Sequence, residues 1–181
     1  MKKIYLVLII IAAFLIISEF VFIPIPFLST TIMGSCYETN LKDMVNRSSL
    51  ILLGAPVDYK WISRDGYSPE THTKVKISEI LRGNYADNEI TVVTSGGCNK
   101  RLHYCIYRTG TPNFDKKDGQ HLIFLSNDEG LFRTNSCIGI IPVSIDTSGK
   151  EILRGICGFW KDVNCMNESI FLDQVIEQIR I

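Results

Sequence analysis

The start of the chain constrains it most. After Met1-Lys2-Lys3, residues 4–33 carry a single charge, Glu19. The opening run, "IYLVLIIIAAFLIIS", has no polar face, so it cannot lie on a globular core as an amphipathic helix does. Apolarity resumes after Glu19 as "FVFIPIPFL". Residues 4–23 therefore supply the ~20 positions a membrane-spanning helix needs, with Glu19 near the outer interface. The two lysines stay on the cytoplasmic side. A cleaved signal peptide has the same charge pattern with an apolar core of ~7–15 residues; the uncharged core here sits at the upper end of that range. We read residues 1–28 as an uncleaved signal anchor, a transmembrane helix, with a cleaved signal as the alternative. Pro24 and Pro26 end the helix, because proline donates no backbone hydrogen bond and disfavours helix in its predecessor. Residues 29–35 read as a linker. Both alternatives export the remainder.

All six cysteines follow the apolar segment: Cys36, Cys98, Cys105, Cys137, Cys157 and Cys165. An even number in an exported chain implies a disulfide framework whose connectivity the sequence leaves open. Two glycosylation triplets, at Asn46 and Asn167, fit the same compartment. Setting aside Lys2, Lys3 and Glu19, 17 basic and 18 acidic residues remain. No basic stripe exists to hold nucleic acid, which excludes that class of partner.

From residue 49 to 134 the pattern is mostly β. "SLILLGAPVDYKWI" opens with unbroken apolarity, as in a strand buried on both faces. "THTKVKISEIL" alternates, with Thr73, Val75 and Ile77 on one side and Lys74 and Lys76 on the other. "NEITVVTS", "HLIFLS" and "LFRTNSC" complete five strands separated by turn residues, which suggests a small barrel or sandwich. No helix of similar strength interrupts them. The tail "NESIFLDQVIEQIRI" places Ile170, Phe171, Val175 and Ile179 near one helical face, with Asn167 or Ser169 as N-cap. It reads as an amphipathic helix, residues 167–181, packed on the β domain.

Candidate chemistry is sparse. "CNKRLHYC" brings Cys98, His103 and Cys105 together, as in a metal site or a Cys–His nucleophile pair. Its spacing fits no standard zinc pattern, so a disulfide-bearing loop is the better reading. His72, on the polar side of its strand, and His121, at the start of another, read as surface histidines. Gly96-Gly97 reads as a turn, since no helix follows to make a phosphate cradle. The acidic residues share no face suited to acid–base work. No enzyme activity and no cofactor are expected.

The order of features resembles a known family. A cysteine (Cys36) opens the domain, followed by "SLILLGAPV", then "THTKVKISEILRGN" with its Leu-Arg-Gly ending, "NEITVVTSGGC" and "DGQHLIFLSNDEGLFRTNSC". This succession is similar to the netrin-like module, in particular the N-terminal domain of the tissue inhibitors of metalloproteinases. The resemblance runs from Cys36 to Cys137, and more loosely to Cys165. It implies a mainly β fold over residues 36–166, a five-stranded OB-like barrel, flanked here by the N-terminal transmembrane helix and the C-terminal amphipathic helix. It also implies that Cys36 pairs with Cys98 or Cys105, and that the later cysteines close around Cys137.

In that family the freed amine and carbonyl of the first cysteine chelate a protease's catalytic zinc, displacing the water that attacks substrate. Transferred to Cys36, this needs a cut after Ser35. Here Glu38 stands where the family has a second cysteine, and Tyr37 where it has a small residue. "MGSC" also resembles a bacterial lipobox, but acylating Cys36 leaves an odd number of thiols. We rank a disulfide first for Cys36, lipid second and zinc chelation third. The expectation is a membrane-anchored, extracytoplasmic domain that binds another protein, with a metalloprotease as the rival partner. Contact residues are expected in the loop 59–69, with Trp61 and Tyr67, in the loop 98–113, with Tyr104 and Tyr107, and at Tyr37 beside Cys36.

Overall fold

The computed structural model describes residues 28–33, 40–63, 69–99, 104–109, 114, 119–134, 138–154 and 169–181. Among these the chain is mainly β, with two short helices. Strands β1 (Leu28–Met33), β5 (Gly97–Asn99) and β6 (Tyr104–Thr109) form a small sheet in the order β1-β6-β5. The larger sheet contains β2 (Leu50–Ser63), β3 (Pro69–Arg82), β4 (Glu89–Ser95), β7 (His121–Asp128), β8 (Leu131–Thr134), β9 (Ile140–Ile145), β10 (Glu151–Arg154) and β11 (Ser169–Phe171). Its order is β11-β10-β9-β7-β2-β3-β4-β8, and β8 also pairs with β7. Pairing thus returns to its start through β2, β3, β4, β8 and β7. Every junction in this ring is antiparallel except β4–β8, which is parallel.

Unbroken apolarity at the start of β2 has a direct structural cause. Leu50 and Leu52 join Val75, Ile90, Val92, Ile123 and Leu125 in one core cluster, with Phe132 packed against it. All five ring strands contribute to that cluster. Ile51 and Leu53 enter a second cluster on the opposite face, with Leu122 and Phe124. That second face is covered by helices α1 (Leu41–Arg47) and α2 (Leu172–Arg180). A strand with apolar neighbours above and below has no place for a polar residue, and each large side chain so buried stabilises by about 1.5–3 kcal/mol.

Helix α1 follows from local chemistry. The Asn40 side chain accepts from the Asp43 amide at 2.6 Å, capping the first turn, and Leu41, Met44 and Val45 share the buried face. At the other end the Ser48 hydroxyl donates to the Met44 carbonyl at 2.7 Å. In α2 the buried residues Leu172, Val175 and Ile179 keep helical spacing.

Several expectations are corrected. The C-terminal helix starts at Leu172 with Phe171 as N-cap, not at Asn167 or Ser169, because residues 169–171 pair with β10 instead. Ile170 and Phe171 are therefore strand residues. Residues 29–33 of the expected linker, with Leu28, form β1, which runs parallel to β6. Residues 59–63 and 69 extend β2 and β3, and residues 98–99 and 104–109 are strand, where loops are expected. His72 and His121 are both buried rather than on the surface. His121 Nδ1 lies 2.7 Å from the Gly119 carbonyl, which can only accept, so Nδ1 carries the proton. Its ring meets Phe114 edge-on, centroids 5.1 Å apart. The expected anchor, residues 1–28, lies outside the described residues apart from Leu28. Among the described residues no helix is long and apolar enough to cross a membrane.

Gly54 marks a close approach of β2 to β3. A Cβ there meets Val75 Cγ1 at 2.7 Å and the Lys76 carbonyl at 2.8 Å. The backbone oxygen cannot move without breaking the ladder. Gly54→Ala is therefore expected to destabilise by about 1–3 kcal/mol. Urea denaturation reads this as a lower midpoint at unchanged slope.

Candidate contact surface

Exposed apolar side chains concentrate at one end of β2. Of the five large hydrophobics exposed among the described residues, three are Val57, Tyr59 and Trp61, at 47%, 44% and 37% exposure. Tyr59 and Trp61 stand opposite Thr73 and Thr71 on β3, so both lie on one face of the ribbon. Their ring centroids are 5.6 Å apart at an interplanar angle of 56°. Val57 sits at a register shift between Pro56 and Asp58, where β2 gains an unpaired residue.

Gly97 of β5 seats the indole. It adopts φ +134°, and a Cβ there meets Trp61 Cδ1 at 2.8 Å and Thr71 Oγ1 at 2.9 Å. One edge of Trp61 is thus held against the small sheet, and about a third of the residue stays exposed. The same hairpin carries the Cys98–Cys105 disulfide, with Cα atoms 4.0 Å apart. These residues face each other directly in the β5–β6 register. Direct opposition in an antiparallel pair brings Cα atoms close enough to bridge, which is why each cysteine bonds its neighbour across the ladder. The expectation that Cys36 pairs with Cys98 or Cys105 is corrected. A bridge closing so short a loop contributes about 2–3 kcal/mol by limiting the unfolded chain.

On the opposite face of β3, charged groups converge. Arg133 Nη1 donates to Glu70 Oε1 at 2.8 Å, and His72 Nε2 lies 3.3 Å from Glu70 Oε2. Arg133 Nε is 3.4 Å from Asp128 Oδ2, an ion contact without hydrogen-bond geometry. Burial pushes the Glu70 carboxyl up, but the hydrogen bonds and charges of Arg133 and His72 outweigh it and hold the group below the usual carboxylate range. Arg133 is on β8 and Glu70 on β3, so their pair spans the parallel β4–β8 junction. This is a clamp on the ring, and no sequence motif points to it because the partners are 63 residues apart.

The other expected site residues are distributed as follows. Asn46 is exposed on α1, whereas Ser48 of its triplet is buried. Tyr104 and Tyr107 are positions of β6, opposite Leu28 and Thr31 of β1. Cys36, Tyr37, Tyr67, His103, Cys137, Cys157, Cys165 and Asn167 lie outside the described residues. Among the described residues no group of three or more His, Cys, Asp or Glu side chains is placed to hold a metal ion. A shallow open cleft is lined by Ile80, Gly83, Asn84, Tyr85 and Ala86; the Tyr85 hydroxyl donates to the Glu89 carbonyl. Sequence reasoning placed Tyr59 and Trp61 in the expected contact loop but did not point to Val57, and spacing at 59 and 61 is the signal of one strand face. No family model matches the chain, and no curated protein matches it in sequence.

Two outcomes follow from this geometry. Proteolytic mapping without reduction is expected to yield a Cys98–Cys105 linked peptide, and a peptide linking Cys36 to either residue overturns the pairing. Glu70→Gln is expected to cost about 1 kcal/mol near neutral pH, because the pair is partly exposed. A depressed carboxyl contributes fully above its unfolded value, roughly pH 4, and the contribution disappears as pH falls through the folded value. The stability gap between wild type and Glu70→Gln should therefore shrink on going from pH 6 to pH 3.

Proposed function

We propose that the chain is a membrane-tethered, extracytoplasmic domain of netrin-like, OB-type architecture that binds another protein and catalyses nothing. The order of pairing in the ring supports the fold. Taken in chain order, β2, β3, β4, β7 and β8 pair first with second, second with third, third with fifth, fifth with fourth, and fourth with first. A five-stranded Greek-key barrel of the OB type has this connectivity, including a parallel third–fifth junction. Covering helices on one outer face and a disulfide-locked hairpin beside the barrel fit the same architecture and an oxidising compartment.

Strand β1 supports the tether. It is built from residues 28–33, immediately after the apolar segment, and pairs along its whole length with β6. A cut before Cys36 removes all six paired residues, so the fold gains from keeping the N-terminus attached. This weighs against the family's zinc-chelating mechanism, which needs a free Cys36 amine. Partner contacts are assigned to the aromatic residues Tyr37, Tyr67, Tyr104 and Tyr107.

Intact mass and N-terminal sequencing of the protein from membranes test the reading. Retention of Met1 is the expected result. A mature chain beginning at Cys36 overturns the helical anchor: an acyl group on that cysteine replaces it with a lipid anchor, and a free amine moves the function to protease inhibition.

A further inference from the structure

Resting on the tethered reading, we propose that Tyr59 and Trp61 insert into the interfacial zone of the bilayer that holds the N-terminal segment, fixing the domain's orientation on the membrane. Three observations converge on this. The patch is apolar and aromatic, with Trp and Tyr side by side, the pair of residues that partition to the headgroup level. It is also small: two aromatic rings expose a few hundred Å² at most, against about 800 Å² per partner in a stable protein interface.

The third observation is where the chain enters. Leu28 lies opposite Tyr104 of β6, which lies opposite Asn99 of β5. Asn99 is two residues from Gly97, the residue against Trp61. Two strand spacings sideways and two residues along place Leu28 about 12 Å from Gly97. Residues 24–27, between the apolar segment and β1, allow a reach from residue 23 to Leu28 of at most about 18 Å. Trp61 is therefore held within roughly 30 Å of the membrane exit, less than the ~40 Å width of a domain this size. Contacts too weak for free association become effective under such a tether, because local concentration reaches the millimolar range. Trp61 is already seated against Gly97, so little side-chain freedom is left to lose on insertion.

The test uses the full chain in phosphatidylcholine vesicles. Trp61 and Trp160 are the two tryptophans, so Trp160→Phe leaves Trp61 as the reporter. The protein is expected to float with the vesicles after an alkaline wash. Lipid brominated near the headgroup is expected to quench Trp61 about twofold or more, because interfacial groups sit ~5–10 Å into the headgroup–acyl boundary. If Trp160→Phe does not fold, the same quenching is read as the difference between wild type and Trp61→Phe. A protein that floats while Trp61 stays unquenched by lipid and open to acrylamide overturns the insertion and leaves the tether standing; the patch then belongs to a protein partner. A protein that does not float overturns the tether, and the insertion with it.

Discussion

The fold depends on one short strand. Strand β8 joins the two ends of the ring, and against β4 it does so through only two paired positions, Val92 with Phe132 and Val93 with Arg133. Backbone pairing of that length is weak, and side chains on both faces reinforce it. Toward the core, Phe132 packs with the interior cluster and meets Tyr85 edge-on at 5.5 Å. On the other face Arg133 reaches past β4 to Glu70 and back toward Asp128. The ion pair is partly exposed, so its contribution is modest beside apolar burial. It adds direction, because a guanidinium bound at fixed distance to two strands permits one register.

The ring also explains why β2 is the organising strand. Its first four residues serve two cores, its middle carries Gly54 where β3 comes close, and its far end carries the aromatic patch. One strand of 14 residues thus links the helix-covered face, the interior and the exposed aromatic pair. Register shifts along its pairing with β3 allow this change of role, since each shift turns the strand relative to its neighbour.

Much of the β structure was legible. Long elements whose apolar pattern has a period of two or no gaps (β2, β3, β4, β7) could be read directly, and so could the turn at Asn127–Gly130 before β8. The missed strands are those whose identity depends on a distant partner. β5 is three residues long and looks like part of a cysteine loop, β9 contains Pro142, and residues 169–171 look like a helix start until β10 claims them. β1 was hidden because the apolar run feeding it is read as membrane segment and linker. The buried histidines were misjudged for a related reason. Alternation identifies two faces of a strand but does not tell that the second is covered, as it is at His72 by Glu70, with Arg133 beyond. Within the site, Trp61 stood out by residue type, whereas the seat at Gly97 depends on how two sheets meet.

The three fates open to Cys36 can now be weighed by what each does to β1. Zinc chelation requires a cut before Cys36. Lipidation at a lipobox requires the same cut, because the acylated cysteine becomes the new N-terminus. Either route discards residues 28–33 and strips β6 of its parallel neighbour, leaving an unpaired edge beside the Cys98–Cys105 hairpin. An exposed edge of that kind invites pairing with other chains. A disulfide at Cys36 needs no cut and keeps β1 in place. Since Cys98 and Cys105 bond each other, Cys36 has only Cys137, Cys157 and Cys165 left as partners within the chain. The even cysteine count is preserved, and the bridge would then secure the segment just beyond β1.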